Sequence, residues 1–284
     1  MTKIKVVTDS SVQLTNEELE KYDITVVPLT ITIDGHNFVD GEDISRAEFV
    51  KRMNTAKTLP KTSQPAIGKF EEIFKELTKD GSEVIGIFLA RSLSGTIEAA
   101  RQASQLIGEE NKIKIIDSEL TDRAEGFQVL AAAKDAQAGK SMDQIIEHVK
   151  KIRDNQVLEM MVVNLDNIIK GGRLGPLAGK IATLLNIRIA LTMPHGELNI
   201  SKKGRGKKFS KNFDQRVLND IKAHKDEIKE VGISYVNTPE ECEELANKIR
   251  EINPNIEVLV QQTSPIIATH AGNDAYAILY YLDK

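Results

Sequence analysis

Cysteine is almost absent from this chain: Cys242 is the single one among 284 residues. A lone cysteine excludes a disulfide within the chain and any metal site built on cysteines. The five histidines include no H-E-x-x-H motif and no paired spacing of the kind that binds zinc. The sequence therefore predicts a protein without a metal site.

An excess of positive charge and long apolar runs are also missing. The formal net charge is −4 and the pI is about 5.9, so no global positive field attracts nucleic acid or an acidic membrane surface. No apolar run approaches the ~18 residues of a membrane-spanning helix. Met1-Thr2-Lys3 leads directly into a strand-like segment rather than a signal peptide. We expect a soluble, cytoplasmic protein with no nucleic-acid partner and at most transient membrane contact.

Nucleotide-binding motifs are a third absence. The chain contains no G-x-x-x-x-G-K-[ST] phosphate loop and no G-x-G-x-x-G dinucleotide fingerprint. Ser94 lacks the preceding glycine of the G-x-S-x-G turn that presents a catalytic serine in α/β-hydrolases. We therefore expect no nucleotide or redox cofactor in this chain.

The segment from Ile85 to Ala100, IGIFLARSLSGTIEAA, is the most informative stretch that is present. An apolar run suited to a buried parallel strand is followed by small polar residues and then by a helical pattern. This layout directs a helix N-terminus and free backbone N–H groups at one spot, which favours an anion such as a phosphate or a carboxylate. The same layout is also typical of an ordinary capped turn, and the segment alone does not decide between the two.

The N-terminal half follows a strand–helix alternation. Strand-like segments at 4–7, 85–90 and 113–116 end in hydroxyl or carboxylate residues and have helices between them, which predicts a parallel sheet. Thr8-Asp9-Ser10-Ser11 follows the first strand, where ligands collect in such sheets. The alternative is that polar residues here, such as Thr15, only cap the helix at 16–22.

Further local signals place other elements. A second strand is predicted at 25–33. Ser45 is predicted to open a helix that runs to Met53, and Ser63 with Pro65 is predicted to start another. After about residue 155 the pattern changes: we expect an apolar helix at 177–185, and strands at 187–193 and 197–201 that form a hairpin. These signals predict two α/β domains, residues 1–155 and 156–284, with a cleft between them.

Three features have both a structural and a functional interpretation. His270 follows a short apolar segment taken as a strand, and a lone histidine is more often structural than functional. The basic cluster of Lys202–Lys211 is typical of a solvated, mobile connection, with phosphate or protein docking as the alternative. Gly171-Gly172-Arg173 predicts a tight turn, although an arginine on such a turn is well placed to bind an anion or a partner.

Together these stretches resemble the DegV family of fatty-acid-binding proteins, which includes the FakB subunits of bacterial fatty acid kinase. The resemblance rests on an ordered set of short motifs that spans essentially the whole chain: Thr8-Asp9-Ser10-Ser11, Val26-Val27-Pro28-Leu29, Asp40 with Asp43-Ile44, Thr62-Ser63-Gln64-Pro65, Leu93-Ser94-Gly95-Thr96, Asp117-Ser118, Gly171-Gly172-Arg173 and Thr269-His270. The resemblance implies a mainly parallel N-terminal sheet with helices on both faces and a mainly antiparallel C-terminal sheet.

The resemblance also implies a function and a site. A long-chain fatty acid would lie between the two domains as the ligand, with no other cofactor. Its carboxylate would be presented to a separate ATP-binding kinase subunit, which converts it to an acyl phosphate. The chain itself would then not be an enzyme. By this resemblance, Arg173 faces the kinase subunit and the carboxylate is held by Thr62, Ser63, Ser94, Gly95, Thr96 and His270.

The strands near 160–163 and 187–193 are candidates to line the slot for the acyl chain.

Two other functions remain as alternatives. Ser94, His270 and Asp117 would supply the nucleophile, base and orienting carboxylate of a serine-dependent esterase or thioesterase. A regulatory or DNA-associated role would depend on the basic cluster at 202–211, against the acidic net charge of the chain.

Overall fold

The structure, a computed structural model, describes residues 3–181 and 186–283. Its strands are β1 (Ile4–Asp9), β2 (Ile24–Val27), β3 (Thr30–Ile33), β4 (His36–Val39), β5 (Lys61–Ser63), β6 (Glu83–Phe88), β7 (Ile113–Asp117), β8 (Gln156–Val162), β9 (Ile187–Thr192), β10 (Asn199–Arg205), β11 (Glu230–Tyr235), β12 (Glu257–Gln262) and β13 (Tyr276–Tyr281). Its helices are α1 (Asn16–Tyr22), α2 (Arg46–Thr55), α3 (Ile67–Thr78), α4 (Thr96–Leu106), α5 (Asp122–Gln137), α6 (Met142–Asp154), α7 (Leu165–Lys170), α8 (Gly206–Ala223), α9 (Pro239–Ile252) and α10 (Pro265–Ala271), with short 3-10 helices at Gly175–Lys180 and Pro194–Gly196.

The N-terminal sheet is parallel, as predicted, with strand order β2-β1-β6-β7. Successive side chains of β6 point to opposite faces: Ile85 and Ile87 pack with α5 and α6, whereas Val84 and Phe88 pack with α3 and α4. Both faces of the sheet are therefore covered by helices, which explains why its central strands are almost continuously apolar.

The prediction of a single strand at 25–33 is wrong, because the segment forms two strands on either side of Pro28. Proline has no backbone N–H for a sheet hydrogen bond, so a strand does not continue through it easily. The first part, β2, joins the parallel sheet, whereas β3 lies in a separate three-stranded antiparallel sheet with order β4-β3-β5.

The same small sheet corrects the helix start predicted at Ser63 and Pro65. Residues 61–63 form β5, in which Thr62 pairs with Ile31, and α3 begins only at Ile67. The helix start at Ser45 is confirmed, because its hydroxyl accepts a hydrogen bond from the backbone N–H of Glu48.

The C-terminal sheet is mainly antiparallel, with strand order β10-β9-β8-β13-β11-β12, and its one parallel pair is β11–β12. The hairpin is confirmed: β9 and β10 pair antiparallel and are joined through Pro194–Gly196. The segment before His270, taken as a strand, is instead the helix α10, which begins at Pro265 with Ser264 as its cap. The helix expected at 177–185 lies partly outside the described residues.

The basic cluster at 202–211 is not the mobile connection that its composition suggests. Lys202, Lys203 and Arg205 lie on β10, and α8 begins immediately after them. Gly204 is needed at this position because a Cβ there would lie 2.1 Å from the ring of Phe209. The segment is therefore an edge strand followed by a helix.

The start of α5 connects the parallel sheet to the C-terminal sheet through Arg123, whose side chain is only 3% exposed. Its guanidinium lies 2.7 Å from the carboxylate of Glu18 on α1, and its Nε lies 2.6 Å from the carboxylate of Glu230 on β11. Gly232 provides the space for this side chain, since a Cβ there would lie 2.4 Å from the Cγ of Arg123.

Asp122 completes this contact, which we name the α5 junction and define as Asp122, Arg123 and their partners. The Asp122 carboxylate accepts hydrogen bonds from the hydroxyl of Ser234 on β11 and from that of Thr263, the latter at 2.6 Å. Asp122 has a positive φ of 61°, so its backbone conformation is an unfavourable one. The two buried hydroxyl contacts hold the Asp122 carboxylate against the C-terminal part.

We expect Arg123→Met to lower the free energy of unfolding by about 3 kcal/mol, because it leaves the carboxylates of Glu18 and Glu230 without their buried cation. The measurement is urea unfolding followed by circular dichroism. Arg101→Met is the matched control: it removes the exposed Arg101–Glu98 pair and should cost less than ~1 kcal/mol. Equal losses in the two variants would contradict a special role for the α5 junction.

Candidate functional site

A cavity with about 700 Å³ of free space, counted to its opening, lies between the three sheets. Most of its wall is apolar and comes from every part of the fold: Leu29, Leu89, Leu93, Leu158, Met160, Ile168, Met193, Leu198, Ile266, Ile267 and Ala271. Of the strands expected to line an acyl slot, β8 contributes Leu158 and Met160, and Met193 follows β9. This lining is typical of a site for an apolar molecule.

Six polar side chains interrupt this wall: Thr62, Gln64, Ser94, Thr121, Arg173 and His270. Three of them, Thr62, Arg173 and His270, also line a second, more polar cleft that continues to the surface. The apolar cavity and this outer cleft therefore meet at these three residues. A ligand with an apolar body and a polar end would place its polar end there.

Thr62 and His270 are brought together from opposite ends of the chain. Thr62 is on β5 and His270 is in the last turn of α10, and the Thr62 Oγ1 lies 2.9 Å from the His270 Nε2. The other ring nitrogen, Nδ1, is buried without a hydrogen-bond partner. A buried N–H without an acceptor is costly, so we assign the proton to Nε2. His270 then donates to Thr62, and the Thr62 hydroxyl hydrogen is left for a ligand in the cavity.

The imidazole of His270 is neutral at physiological pH. Burial lowers its pKa to about 4, and the nearby charge of Arg173 acts in the same direction. Gly171 makes this packing possible, because a Cβ at that position would lie 2.5 Å from the His270 Nδ1. The ring is therefore a fixed, uncharged hydrogen-bond donor.

The loop before α4 contributes Ser94 to the cavity. The Ser94 Oγ lies 2.9 Å from the Oγ1 of Thr96, and α4 begins after Gly95 without a side-chain cap. The strand, turn and helix predicted over 85–100 are confirmed. Asp9 holds the start of this loop, because its buried carboxylate accepts a hydrogen bond from the backbone N–H of Leu89 at 2.8 Å.

The predicted site residues are not all placed alike. Thr62, Ser94, His270 and Arg173 line the cavity. Gly95 precedes α4 and Thr96 is its first residue, and neither lines the cavity; the side chain of Ser63 is exposed and also lies outside the lining. Residues that sequence analysis missed include Gln64 and Thr121. Gln64 belongs to a recognised motif, whereas no sequence signal marked Thr121.

Arg173 extends from the glycine turn toward the loop before α4. Its Nε donates to the backbone carbonyl of Leu93 at 3.2 Å, and its Nη1 donates to that of Gly171 at 2.8 Å. The side chain is half-buried, and the structure places it where the cavity and the outer cleft meet. Its charge is thus held at the boundary of the apolar cavity rather than inside it.

Thr8-Asp9-Ser10-Ser11 has a structural role here. The hydroxyls of Thr8 and Ser11 donate to the buried carboxylate of Glu125 on α5, and burial raises the pKa of Glu125 well above its usual value. Asp9 accepts from Ser11 and Leu89, as β1 meets the loop. The motif therefore uses its polar groups within the fold. Thr15 caps α1, as the alternative interpretation proposed.

The residues of the alternative esterase triad are not connected. Among the described residues, His270 bonds to Thr62, Ser94 bonds to Thr96, and the Asp117 carboxylate accepts from the backbone N–H of Glu119. The His270 Nδ1, which an orienting carboxylate would contact, has no partner. The described residues also contain no cluster able to hold a metal ion and no helix long and apolar enough to cross a membrane.

Comparison with known proteins agrees with this architecture. A family model described as "Uncharacterised protein, DegV family" matches residues 3–283. The chain belongs to the DegV family. A DegV domain-containing protein of Streptococcus pneumoniae is 40% identical over 280 residues, which cover 98% of each chain.

Two crystal structures show the same fold. DegV, a fatty acid binding protein from Bacillus subtilis, has a TM-score of 0.89 and 25% identity, and the match covers 99% of this chain and 100% of that one. The Streptococcus pneumoniae Fatty Acid Kinase (Fak) B3 protein, loaded with linoleic acid, has a TM-score of 0.80 and 24% identity, with full coverage of both chains. The parallel N-terminal sheet and the mainly antiparallel C-terminal sheet of the DegV fold are therefore confirmed.

The buried state of His270 predicts a contribution to stability that is lost in acid. The unfolded chain takes up a proton near the ordinary pKa of 6.5, whereas the folded imidazole stays neutral down to about pH 4. Folding is therefore disfavoured progressively as the pH falls from about 6.5 to about 4. The shift from 6.5 to about 4 corresponds to a loss of about 3 kcal/mol.

The measurement is urea unfolding of the wild type and of His270→Gln between pH 4 and pH 7. Burial raises the pKa of Asp40 to about 6, so protonation of Asp40 favours folding as the pH falls. This effect opposes that of His270 but is the same in both proteins. The difference between the two profiles should thus shrink or reverse as the pH falls. Parallel profiles would contradict a buried, neutral His270.

Proposed function

We propose that the chain binds a long-chain fatty acid in the cavity and presents its carboxylate to a separate, ATP-binding kinase subunit. In this proposal, residues 1–155 and 156–284 are two domains and the fatty acid lies between them. The carboxylate accepts hydrogen bonds from Thr62 and Ser94, with His270 behind Thr62. We place this activity in the cytoplasm, where ATP is available.

The observation that carries the proposal is the combination of an apolar wall with two uncharged hydrogen-bonding side chains, Thr62 and His270, at the end where the cavity meets the outer cleft. Each buried methylene contributes about 0.8 kcal/mol, so about ten contribute ~8 kcal/mol. This is comparable to the ~4–15 kcal/mol that association costs in lost freedom. A short acid would therefore bind weakly, and the wall favours a long one.

The comparisons support the ligand class. The structurally similar protein of Bacillus subtilis is a fatty acid binding protein, and that of Streptococcus pneumoniae is loaded with linoleic acid. Five of the six polar residues that line the cavity belong to the motifs shared with the family: Thr62, Gln64, Ser94, Arg173 and His270. Hydroxyl donors also suit a carboxylate because they hydrogen-bond to the charged form.

Two observations support a kinase partner: the absence of a nucleotide-binding motif from the sequence, and the structural similarity to the Fatty Acid Kinase (Fak) B3 protein of Streptococcus pneumoniae. The sequence has no phosphate loop, so ATP would arrive with the other subunit. A carboxylate oxygen of the acid would attack the γ-phosphorus of ATP, forming an acyl phosphate and releasing ADP. In this proposal Arg173 meets the incoming subunit, and its position at the boundary between the cavity and the outer cleft supports that role.

We expect Thr62→Val and Ser94→Ala each to weaken fatty acid binding about tenfold, because each removes a hydrogen bond to a charged group. The measurement is displacement of a fluorescent fatty acid by palmitate, with thermal unfolding to confirm that each variant folds. Ser63→Ala is the matched control, since Ser63 neighbours Thr62 in β5 but lies outside the cavity. Unchanged binding in both site variants would overturn the assignment of the carboxylate site.

We expect Arg173→Ala to retain the fatty acid but to lose most acyl phosphate formation with the kinase subunit. The reason is that Arg173 donates to the backbone carbonyls of Leu93 and Gly171, so its removal takes no apolar side chain from the wall. Acyl phosphate is measured by trapping with hydroxylamine. Normal formation would show that Arg173 serves only the glycine turn.

A further inference from the structure

The outer cleft has a charge pattern that the binding of a carboxylate does not explain. It contains about 1430 Å³ of space, counted to open solvent, and reaches the apolar cavity at Thr62, Arg173 and His270. Beyond these three residues its wall includes Lys57, Lys61 and Lys170. The three lysines come from the loop after α2, from β5 and from the end of α7. Only the tertiary structure brings Lys170 to the same cleft as the other two.

No acidic side chain belongs to the described wall of the outer cleft. Two carboxylates contact wall residues from elsewhere: Asp34 accepts hydrogen bonds from the backbone N–H groups of Lys57 and Thr58, and Asp166 lies 3.3 Å from the Nζ of Lys170. Four cations, counting Arg173, therefore line one cleft in a chain whose net charge is −4. A single carboxylate held by hydroxyls at the inner end has no need of them.

We propose that the outer cleft binds the phosphoryl group of the acyl phosphate. This inference rests on the proposed function. When the carboxyl carbon stays beside Thr62 and Ser94, a phosphate attached to a carboxyl oxygen extends past His270 and Arg173 into the outer cleft. The phosphoryl group adds negative charge and oxygen acceptors, and Lys57, Lys61 and Lys170 supply the matching positive charge.

The lysine side chains are exposed, so each contributes through a screened interaction. The effect of the three together should be a preference for the phosphorylated over the free acid, and this preference should decrease as salt is added. The apolar cavity is unchanged by phosphorylation, so the acyl chain gives both ligands the same contribution. Product and substrate are thereby distinguished in the outer cleft alone.

The test compares palmitate with a stable analogue of palmitoyl phosphate in which a CH2 group replaces the bridging oxygen. Both compete with a fluorescent fatty acid for the wild type and for Lys57→Gln/Lys61→Gln/Lys170→Gln. A second triple variant, Lys150→Gln/Lys151→Gln/Lys222→Gln, is the control. It removes three exposed lysines that do not line either site and changes the net charge equally.

We expect the outer-cleft variant to weaken the analogue at least fivefold at low salt, while palmitate affinity changes less than twofold and the control changes neither ligand. Three screened charge contacts together account for a loss of this order. An analogue affinity that is unchanged in the outer-cleft variant, or reduced equally in the control, would overturn the inference. So would an equal loss for palmitate, because the lysines would then serve any acid. A wild type that binds neither ligand would instead overturn the proposed function itself.

Discussion

The buried charge of Arg123 is the constraint on which the arrangement of the sheets depends. A guanidinium that is 3% exposed is tolerated only if carboxylates and carbonyls compensate it on every side. Glu18 comes from the N-terminal part and Glu230 from the C-terminal sheet, so the compensation is complete only when both parts are in place. The cavity has walls from the same two parts, for example Leu89 and Leu158, and its shape follows from that placement.

At the polar end of the cavity, uncharged donors take the place of a buried cation. His270 and Thr62 hydrogen-bond to each other there, and in the proposed function Thr62 and Ser94 donate to the carboxylate, whereas the charge of Arg173 stays at the boundary and is bound to backbone carbonyls. In the proposed function, a carboxylate held in this way keeps its negative charge and remains a nucleophile. A buried ion pair would lower its reactivity, so the arrangement suits an acid that is to be phosphorylated.

Much of the fold follows from local sequence, and the errors have physical causes. Strand and helix alternation predicted the parallel sheet, because buried strands there are continuously apolar. Local pattern did not detect the break at Pro28 or the strand at 61–63, whose pairing with Thr30 to Thr32 depends on residues about thirty positions away. The sequence before His270 predicts a strand where the structure has the helix at 265–271, because a short apolar run fits either element.

The site also combines features that local sequence indicates with features that depend on distant contacts. Ser94 lies in a turn whose sequence favours an anion, whereas only the family resemblance assigns Thr62 and His270 to one site, since their proximity depends on a contact across about 200 residues. The α5 junction was not predicted either: Arg123 and Asp122 are in an ordinary polar segment, and only the tertiary structure shows that they are buried. Conversely, Thr8-Asp9-Ser10-Ser11 had the composition of a ligand site but is used to hold β1, α5 and the Leu89 loop together.

The central claim is that the cavity holds one fatty acid, and native mass spectrometry of the purified wild-type chain tests it most directly. Solvent extraction and analysis of the released acid then identify the acyl chain. We expect one long-chain fatty acid per chain, retained through purification or taken up when added. A chain that is empty and also refuses added acids of every length would contradict it.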